Sequence, residues 1–561
     1  MFPLILVAYA LLLVNQGITV TDTGYNYGNF VNFDGLDGMW KFSTYLATAL
    51  GAFFSHLPWG GTMLGLNVYT GLVKALIAVM SYFVCVKVFR LRGELAFLAE
   101  LTALGYCWCP TALLYNYCTY LLFNLGAILL CIAVKKEKDW FYLLAGAALG
   151  VNVLVRLPNL AEAALVFALW FYCAIRKVKA AETVRRTALC AAGYGLGAGV
   201  VLGYICLRYG VDAYVSGIRE ILNMPGEAAD YSLGSMIRGN IRAYVSNLHW
   251  LWIALAFVLA GTILYAVAGG RFLKGKRILY GGCNVLLILT YRYLHMFKFV
   301  YHAYDSVYLV GTFFLILAGL LGLYVVFWGG EDYELRMHAA VMGIIILITP
   351  LGSNNQLFSA VNNLFWVMPF VLRCCGKLVR ETPNRLGGRG FLSLEPLKLT
   401  LLSLVGFVCV QGILFGATFV FRDGINGEKR DVKVTEIAAL KGMHTTAENA
   451  EALNSLYAYL QKEGLTESEV ILYHNVPGLA FYLGLEPAIS STWPDLDSFT
   501  VDKFRLELDR VKEDCTAAEK PLLILGCPLE GEGVKLELLR DFAAELDYVP
   551  AFSNGMFHLY R

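Results

Sequence analysis

The chain has 561 residues, of which 58% are hydrophobic and only 16% are charged. Its mean hydropathy of +0.59 excludes a wholly water-soluble protein, because so few charges could not cover the surface of a soluble chain of this length. The formal net charge of +2 conceals a division, since Met1 to Arg422 is basic and Asp423 to Arg561 is acidic.

Apolar runs follow one another through the basic part of the chain. They lie at 2–20, 63–86, 94–109, 117–134, 140–155, 158–175, 187–207, 248–268, 278–294, 306–328, 338–351, 358–372 and 399–421. Each approaches the ~20 residues that a helix needs to cross a bilayer, so we expect about 13 membrane helices. The sequence thus predicts a polytopic α-helical membrane core over residues 1–422 and a separate soluble domain over residues 423–561.

The first run ends in a carboxylate. Phe2 to Val20 is uncharged and lacks the basic flank and cleavage site of a secretory signal, so we interpret it as a retained membrane helix. Asp22 follows directly, in the run Thr21-Asp22-Thr23-Gly24-Tyr25-Asn26-Tyr27. A carboxylate is costly to hold near lipid, which favours a functional role. The alternative is a turn or helix-end residue, because Thr-Asp-Thr-Gly is favourable turn chemistry.

The distribution of Lys and Arg among alternate loops predicts the orientation of the core. The richer set of loops lies near residues 87–92, 135–138, 176–186, 271–277, 336 and 373–398. The poorer set holds Lys41, Arg156, Arg208, Arg219, Arg238, Arg242, Arg292 and Lys298. Because basic loops stay in the cytoplasm, Asp22 and the acidic domain should face outward.

Three outward segments are longer than a simple connection requires. Residues 21–62 contain an apolar stripe that predicts an amphipathic helix from Trp40 to His56, lying along the membrane surface. Residues 208–247 are interpreted as a partly mobile loop. Residues 291–305 alternate basic and aromatic side chains, which suits either an interfacial belt or a lipid-phosphate site.

The acidic part is typical of an α/β domain. Thr445 and Thr446 precede a helical pattern that runs to about Lys462, and strands are predicted at 470–473 and 521–525. The tail from Tyr548 to Tyr560 contains an Asn-Gly pair and predicts a hairpin.

Cysteine usage gives no sign of a zinc site. All but Cys515 and Cys527 precede Asp423 and lie mostly in apolar runs, where they are interpreted as small buried hydrophobic residues. A disulfide between Cys515 and Cys527 is one possibility that spacing alone does not decide.

These features together resemble the GT-C glycosyltransferases, and in style the protein O-mannosyltransferase and aminoarabinose-transferase branch. The resemblance rests on the outward Asp22 after the first helix, the amphipathic first loop, the run Val155-Arg156-Leu157-Pro158 and the outward stretch Tyr473-His474-Asn475-Val476-Pro477-Gly478. It implies a sugar donated from a polyprenyl phosphate at the outer membrane face, with the first-loop carboxylate acting there. Carried onto this chain, that residue is Asp22, which would remove the proton of the attacking hydroxyl.

Basic residues on the same side are candidates for the donor phosphate, since Arg or Lys can offset the charge of the leaving group. Arg156, Arg292 and Lys298 are the candidates, with His302 as an assisting donor. The competing interpretations are a snorkelling Arg156, an aromatic belt around Arg292 and Lys298, and a structural His302.

Polar residues near Asp22 and in a later outward turn are candidates for substrate binding. Tyr25 and Asn26 belong to the Asp22 run, and Asn354 and Asn355 to the amide-rich turn. Amides bind sugar hydroxyls but also cap broken helices.

We expect no cofactor, because the second outward loop near Pro110 to Asn116 lacks the further carboxylate that a divalent ion usually needs. Asp34 and Asp37 leave a metal open, although helix capping is the favoured role for both.

The sequence therefore predicts a glycosyltransferase of a bacterial plasma membrane that moves a sugar from a polyprenyl-phosphate carrier to an outward acceptor, by inversion. The acceptor is a glycan, a lipid or a protein, and no nucleic-acid partner is expected. The rivals are a transporter or flippase of lipid-linked sugars, which often carries repeats and midplane charges, and a non-catalytic membrane scaffold.

Overall fold

Helices account for most of the chain in the computed structural model, which describes residues 1–107, 111–223, 233–267, 273–353, 355–381, 385–386, 392–424, 428–515 and 520–561. The helices that precede the acidic part are α1 (Phe2–Ala10), α2 (Asp22–Val31), α3 (Gly38–Ser43), α4 (Tyr45–Ser55), α5 (Met63–Lys87), α6 (Gly93–Tyr106), α7 (Tyr115–Lys136), α8 (Asp139–Val153), α9 (Val166–Ile175), α10 (Ala180–Tyr209), α11 (Val211–Asn223), α12 (Leu233–Val267), α13 (Leu273–Tyr293), α14 (Tyr308–Trp328), α15 (Tyr333–Ile348), α16 (Phe358–Asn362), α17 (Val367–Glu381) and α18 (Glu395–Thr418). Short 3₁₀ turns lie at Phe33–Gly35, Leu157–Leu165 and Tyr304–Val307, and a two-stranded ribbon at β1 (Arg385–Leu386) and β2 (Leu392–Ser393).

Seven helical spans in the described part are long and apolar enough to cross a membrane. They are Met63–Lys87, Tyr115–Lys136, Leu157–Ile175, Ala180–Tyr209, Gly234–Val267, Tyr304–Trp328 and Glu395–Thr418. The expected number of about 13 stays a prediction, because helices such as α6 and α8 are shorter than the ~20 residues of a full crossing.

The first apolar run is not one helix, which corrects the prediction for Phe2 to Val20. α1 ends at Ala10, so its nine residues rise only about 14 Å, well short of the ~30 Å hydrocarbon core. Gly17 has φ +88°, and a Cβ there would meet Val420 Cγ1 at 2.3 Å. The chain turns instead of continuing, because its amides pair with residues near the other end of the sequence.

Two further predictions about the outward segments are corrected. The expected helix from Trp40 to His56 is divided into α3 and α4 at Thr44, whose φ of −137° and ψ of 41° interrupt the helix. The segment 208–247 is mostly helical, because α11 and α12 occupy it. Residues 224–232 lie outside the described residues.

The closest backbone packing in the core is between α8 and α10. A Cβ on Gly146 would lie 1.9 Å from Cys190 O, and one on Gly193 would lie 1.9 Å from Leu143 O. Small residues at a crossing let two membrane helices approach closely where no hydrophobic effect drives them together. The glycines in the run around residue 150 therefore serve packing.

The acidic part contains an α/β arrangement, as its sequence predicts. Its elements are β3 (Val432–Lys433), a 3₁₀ turn (Ala438–Leu440), β4 (His444–Thr445), α19 (Ala447–Glu463), β5 (Glu469–Tyr473), α20 (Leu479–Leu483), β6 (Glu486–Pro487), α21 (Val501–Asp514), β7 (Leu522–Leu525), α22 (Val534–Glu545), β8 (Pro550–Ser553) and β9 (His558–Tyr560). Thr446 caps α19 through a hydrogen bond from Asn449 N. β5 runs parallel to β6 and β7, and β9 is antiparallel to both β7 and β8, in the order β6-β5-β7-β9-β8.

No disulfide joins Cys515 to Cys527 in the structure, so that possibility is not confirmed.

Candidate functional site

Asp22 begins α2 and lies in the wall of a cavity of about 460 Å³. The cavity lies where residues 22–48, the start of α7, the residues around α16, the residues after α18 and the acidic part meet. Its lining residues are Asp22, Tyr25, Asn26, Asn29, Trp40, Ser43, Thr44, Thr48, Leu114, Tyr115, Asn116, Tyr304, Ser353, Asn355, Phe358, Ser359, Asn362, Phe421, Arg422, Trp493 and Leu496. A size of this order suits a small ligand or the reacting parts of two larger ones.

The segment that leads to Asp22 is held by β4 and by Asp423. His444 N donates to Asn15 O at 2.9 Å, and Gly17 N donates to His444 O at 2.8 Å. Ile18 N donates to Asp423 Oδ2 at 2.8 Å. These bonds satisfy backbone groups of residues 15–18, which lie beyond the end of α1 and belong to no helix.

Asp423 is a buried carboxylate with several donors around it. Thr445 Oγ1 donates to it at 2.7 Å and Asn449 Nδ2 at 3.0 Å, and an Arg430 nitrogen lies 4.0 Å from it. Burial nevertheless raises the pKa of Asp423, because its desolvation outweighs these donors. We define this group, with Ile18, as the junction clasp.

The last residues before Asp22 are held by α20. Tyr482 Oη donates to Thr19 O at 2.6 Å, and Gly478 N donates to Val20 O at 2.7 Å. Gly24 of α2 faces Gly478 so closely that a Cβ on Gly24 would lie 2.5 Å from Gly478 Cα. The position of Asp22 therefore depends on the acidic part as much as on the membrane core.

Arg422 is the ion-pair partner of Asp22. One of its Nη atoms lies 3.7 Å from Asp22 Oδ2, and both side chains are partly exposed to the cavity. Among the described residues that line the cavity, Asp22 is the only carboxylate and Arg422 the only cation. A carboxylate in the first turn of a helix also interacts favourably with the helix dipole.

The other lining groups are mainly amides and aromatic rings. Tyr25, Asn26 and Asn355, all named from the sequence, line the cavity. Asn26 Nδ2 donates to Asp22 O at 2.7 Å, which leaves its carbonyl oxygen for a ligand. Asn354, the fourth of these candidates, lies outside the described residues.

Arg156 lies behind the cavity wall rather than in it. Its guanidinium stacks on the Tyr115 ring at 5.3 Å, Nε donates to Asn159 Oδ1 at 2.8 Å, and one Nη donates to Thr349 O at 3.4 Å. The other Nη is buried and has no partner among the described residues. Its assignment to the donor phosphate stays a prediction.

Three further candidates for the donor phosphate are exposed and lie outside the cavity lining. Arg292 ends α13 with its guanidinium over the Phe299 ring at 5.0 Å. Lys298 and His302 are exposed in the segment before α14. Their roles also stay predictions, whereas Tyr304, two residues after His302, does line the cavity.

Sequence reasoning missed Arg422 and Trp493. Arg422 directly follows the last apolar run, on the side that the loop charges predict to face outward, where basic residues are few, and that rarity was the available signal. Lys74 was also missed, although a lone charge inside an apolar helix is unusual. It lines a smaller cavity of about 80 Å³, and Phe421 lines both cavities.

Asp34 and Asp37 take different structural roles. Asp37 caps α3 as predicted, accepting Gly38 N at 2.8 Å, and its carboxylate also pairs with Lys503. Asp34 instead lies inside the turn Phe33–Gly35, 4.0 Å from an Arg208 nitrogen. Within the described ranges, no group of three or more His, Cys, Asp or Glu side chains is arranged to hold a metal ion.

Comparison with known proteins gives structural neighbours only. No model of a known protein family matches the chain, and no curated protein does. ArnT from Cupriavidus metallidurans, bound to undecaprenyl phosphate, is 12% identical with a TM-score of 0.42, over 100% of this chain and 96% of that one. The archaeal oligosaccharyltransferase AglB from Archaeoglobus fulgidus, in complex with an inhibitory peptide and a dolichol-phosphate, is 13% identical with a TM-score of 0.47, over 100% and 74%.

A third neighbour is the arabinosyltransferase EmbB from Mycobacterium smegmatis, which is 10% identical with a TM-score of 0.33, over 68% of this chain and 41% of that one. These neighbours are GT-C glycosyltransferases, the superfamily that the sequence resembles. At such identities, and with TM-scores below 0.5, the likeness assigns no activity to this chain.

Proposed function

We propose that this chain is a multi-pass membrane glycosyltransferase that moves a sugar from a polyprenyl-phosphate carrier to an acceptor outside the cytoplasm. The observation that carries the proposal is the pairing of one carboxylate, Asp22, with one cation, Arg422, in a cavity whose other described lining residues are mainly amides, hydroxyls and aromatic rings. Such a lining suits a neutral polyhydroxylated ligand beside one reacting centre.

The reaction is a single displacement with inversion. The acceptor hydroxyl gives its proton to the Asp22 carboxylate as its oxygen forms a bond to the anomeric carbon. The bond between that carbon and the phosphate oxygen breaks, and the phosphate leaves with the electron pair. Arg422 offsets the charge that develops on the phosphate, because a guanidinium matches phosphate geometry through two parallel hydrogen bonds.

Arg422 adds to the earlier candidates for the donor phosphate rather than replacing all of them. It lines the cavity with Asp22, whereas Arg156 is separated from it by Tyr115, and Arg292, Lys298 and His302 lie outside the lining. We therefore assign the phosphate of the reacting sugar to Arg422 first. The membrane is a bacterial plasma membrane in this proposal, with the acidic part outside the cell.

The decisive experiment replaces Asp22 by Asn in the full-length protein, purified in lipid nanodiscs. Asn keeps the size and one acceptor oxygen but cannot take a proton, so we expect the loss of sugar transfer from a panel of polyprenyl-phosphate sugars with unchanged thermal unfolding. The matched control is Asp34→Asn, another carboxylate of the first loop that lies outside the cavity.

Unchanged transfer in the Asp22→Asn variant would refute the role of the base. Movement of a labelled lipid-linked sugar across proteoliposome bilayers, without transfer to any acceptor, would favour the transporter. The absence of both activities in the wild-type protein would favour the scaffold.

A further inference from the structure

Part of the cavity wall beside Asp22 comes from the acidic part of the chain. Trp493 and Leu496, which follow β6 and precede α21, line the cavity. The Trp493 ring meets the Tyr25 ring edge to face, with centroids 5.4 Å apart. The Tyr25 hydroxyl also bonds Asn29 and Ser491, and burial raises the pKa of this phenol. The two parts of the chain thus share one aromatic wall.

The backbone that carries Trp493 is held from two sides. Lys535 of α22 donates from Nζ to Pro494 O at 2.8 Å and to Leu496 O at 2.7 Å, and burial lowers the pKa of this lysine. On the other side, Asn475 N donates to Asp495 Oδ2 at 3.0 Å. We define residues 491–496 as the wall loop.

The fixed shape of the wall loop costs free energy. A lysine with a partly buried charge is penalised by desolvation, and Asn475 adopts φ +61° just after His474 at φ +63°. Two successive residues in the left-handed region are uncommon outside glycine, and such conformations persist where the surrounding structure requires them. The wall loop that contains Trp493 is thus held by two neighbours that lie outside it, a partly buried lysine and a left-handed segment.

Trp40 of α3 lines the same cavity and carries an unused donor. Its Nε1 is buried and has no hydrogen-bond partner among the described residues. A buried donor without a partner costs free energy, which a hydroxyl or carbonyl of a bound ligand would recover. This donor is the second observation that points to a ligand at the aromatic wall.

We propose that Trp40, Tyr25 and Trp493 form the subsite for the acceptor, and that the acceptor is a carbohydrate. The C–H face of a sugar ring packs on the aromatic rings, while its hydroxyls reach the amides of Asn26 and Asn29. An acyl chain would leave those amides unpaired, and a charged peptide would find only the Asp22–Arg422 pair. The identification of the bound sugar as the acceptor rests on the proposed function. The binding of a sugar at these residues does not.

The test is saturation-transfer NMR on the full chain in nanodiscs, with methyl glycosides of common hexoses and pentoses as probes. We expect saturation of the ring protons of at least one glycoside with the wild-type protein. In Trp493→Ala the saturation signal should fall about fivefold, because the loss of one aromatic contact lowers the affinity by about that factor. The matched control Trp59→Ala removes an exposed outward tryptophan that lies outside the cavity and should change nothing.

A second variant distinguishes unfolding of the acidic part from displacement of Trp493 in the wall loop. Lys535→Met keeps Trp493 and removes only the two bonds that fix the wall loop, so the glycoside signal should weaken while α22 stays folded. Equal signals in the wild type, Trp493→Ala and Lys535→Met would overturn the proposal, as would no signal from any glycoside. Saturation of a serine-containing probe peptide in place of the glycosides would overturn it in favour of a protein acceptor.

The two proposals can fail separately. Glycoside binding that is intact in the wild type, with no transfer from any donor, would refute the glycosyltransferase and leave the subsite. Sugar transfer that depends on Asp22 but not on Trp493 would refute the subsite and leave the transferase.

Discussion

Arg422 ties the end of the last membrane helix to the carboxylate at the start of α2. It has φ +45°, an uncommon conformation for a residue with a side chain, and it directly precedes the buried Asp423. These two successive residues contact different segments. Arg422 pairs with Asp22 in the cavity, and Asp423 accepts a hydrogen bond from the backbone of Ile18.

Arg422→Gln should lower kcat of sugar transfer about 100-fold, because the leaving phosphate loses the cation that offsets its charge. Arg422→Lys should recover part of the rate, since a lysine supplies charge without the planar fork. Steady-state kinetics with the donor varied measures both. Lys429→Gln is the control, an exposed residue nearby, and an equal rate loss in that variant would contradict a specific role for Arg422.

Asp423 makes stability depend on pH in a predictable direction. Burial raises its pKa in the folded protein, so the folded state holds the proton more tightly than the unfolded chain. The stability that this group contributes is then fully present below its ordinary pKa and is lost as pH rises through the raised value.

Asp423→Asn removes this titration and keeps a side chain of the same shape. The unfolding midpoint of the wild type, relative to this variant, should therefore fall as the pH rises from the ordinary pKa of an aspartate, about 4, through the raised pKa of Asp423. Thermal unfolding in nanodiscs measures the difference. A difference that grows with pH would mean that the donors around the carboxylate outweigh its desolvation.

The contact between α2 and α20 can be tested by substituting two glycines of α2, one of which has no room for a side chain and one of which does. At Gly24 an added Cβ would lie 2.5 Å from Gly478 Cα, whereas at Gly28 it would meet only Phe481 Cβ at 3.9 Å. Gly24→Ala should push the start of α2 away from α20, lowering both transfer and the unfolding midpoint. Gly28→Ala should be neutral or slightly stabilising, because alanine is the better helix former.

Activity assays and thermal unfolding of the two variants compare the sites directly. If Gly24→Ala keeps full activity, α2 need not be held by α20 for Asp22 to act.

Hydrophobic periodicity predicted those elements whose apolar residues are buried by regular packing, without partners from distant loops. α5, α7, α19 and the hairpin of β8 and β9 lie where the sequence placed them. α1 differs because Gly17 and Ile18 pair with His444 and Asp423, and no window around residue 17 contains those partners. Thr44 divides α3 from α4 within a continuous apolar stripe, so periodicity alone could not locate that break.

The orientation of the whole molecule follows from the loop charges and stays a prediction until it is measured. Two exposed positions can carry a cysteine for labelling. Glu530 lies in the acidic part, and Lys177 lies between α9 and α10 in a loop of the basic set, so the variants are Glu530→Cys and Lys177→Cys. In intact cells a membrane-impermeant maleimide should label the first and not the second. The reverse pattern would place Asp22 and its cavity in the cytoplasm.

The candidate site was predictable only in part because its residues come from segments that lie far apart in sequence. Asp22 stood out as a carboxylate beside an apolar run, and Tyr25 and Asn26 lie within the same helix. Trp493 lies in a polar stretch where an aromatic residue has no local reason to be noticed, and only the sheet of the acidic part brings it to Tyr25. Arg156 was noticed correctly as unusual, yet Tyr115 stands between it and the cavity.

The junction clasp also orders events during biosynthesis. Ile18 and Asp423 are 405 residues apart in sequence, so a ribosome threads Asp22 into the translocation machinery long before it makes the residue that holds Asp22 in place. A nascent chain that ends before Asp423 therefore contains the Asp22 carboxylate but not the junction clasp that positions the segment before it. A polypeptide arrested there would lack the bond that holds the backbone of Ile18, so the proposed site would be complete only after the acidic part had been made.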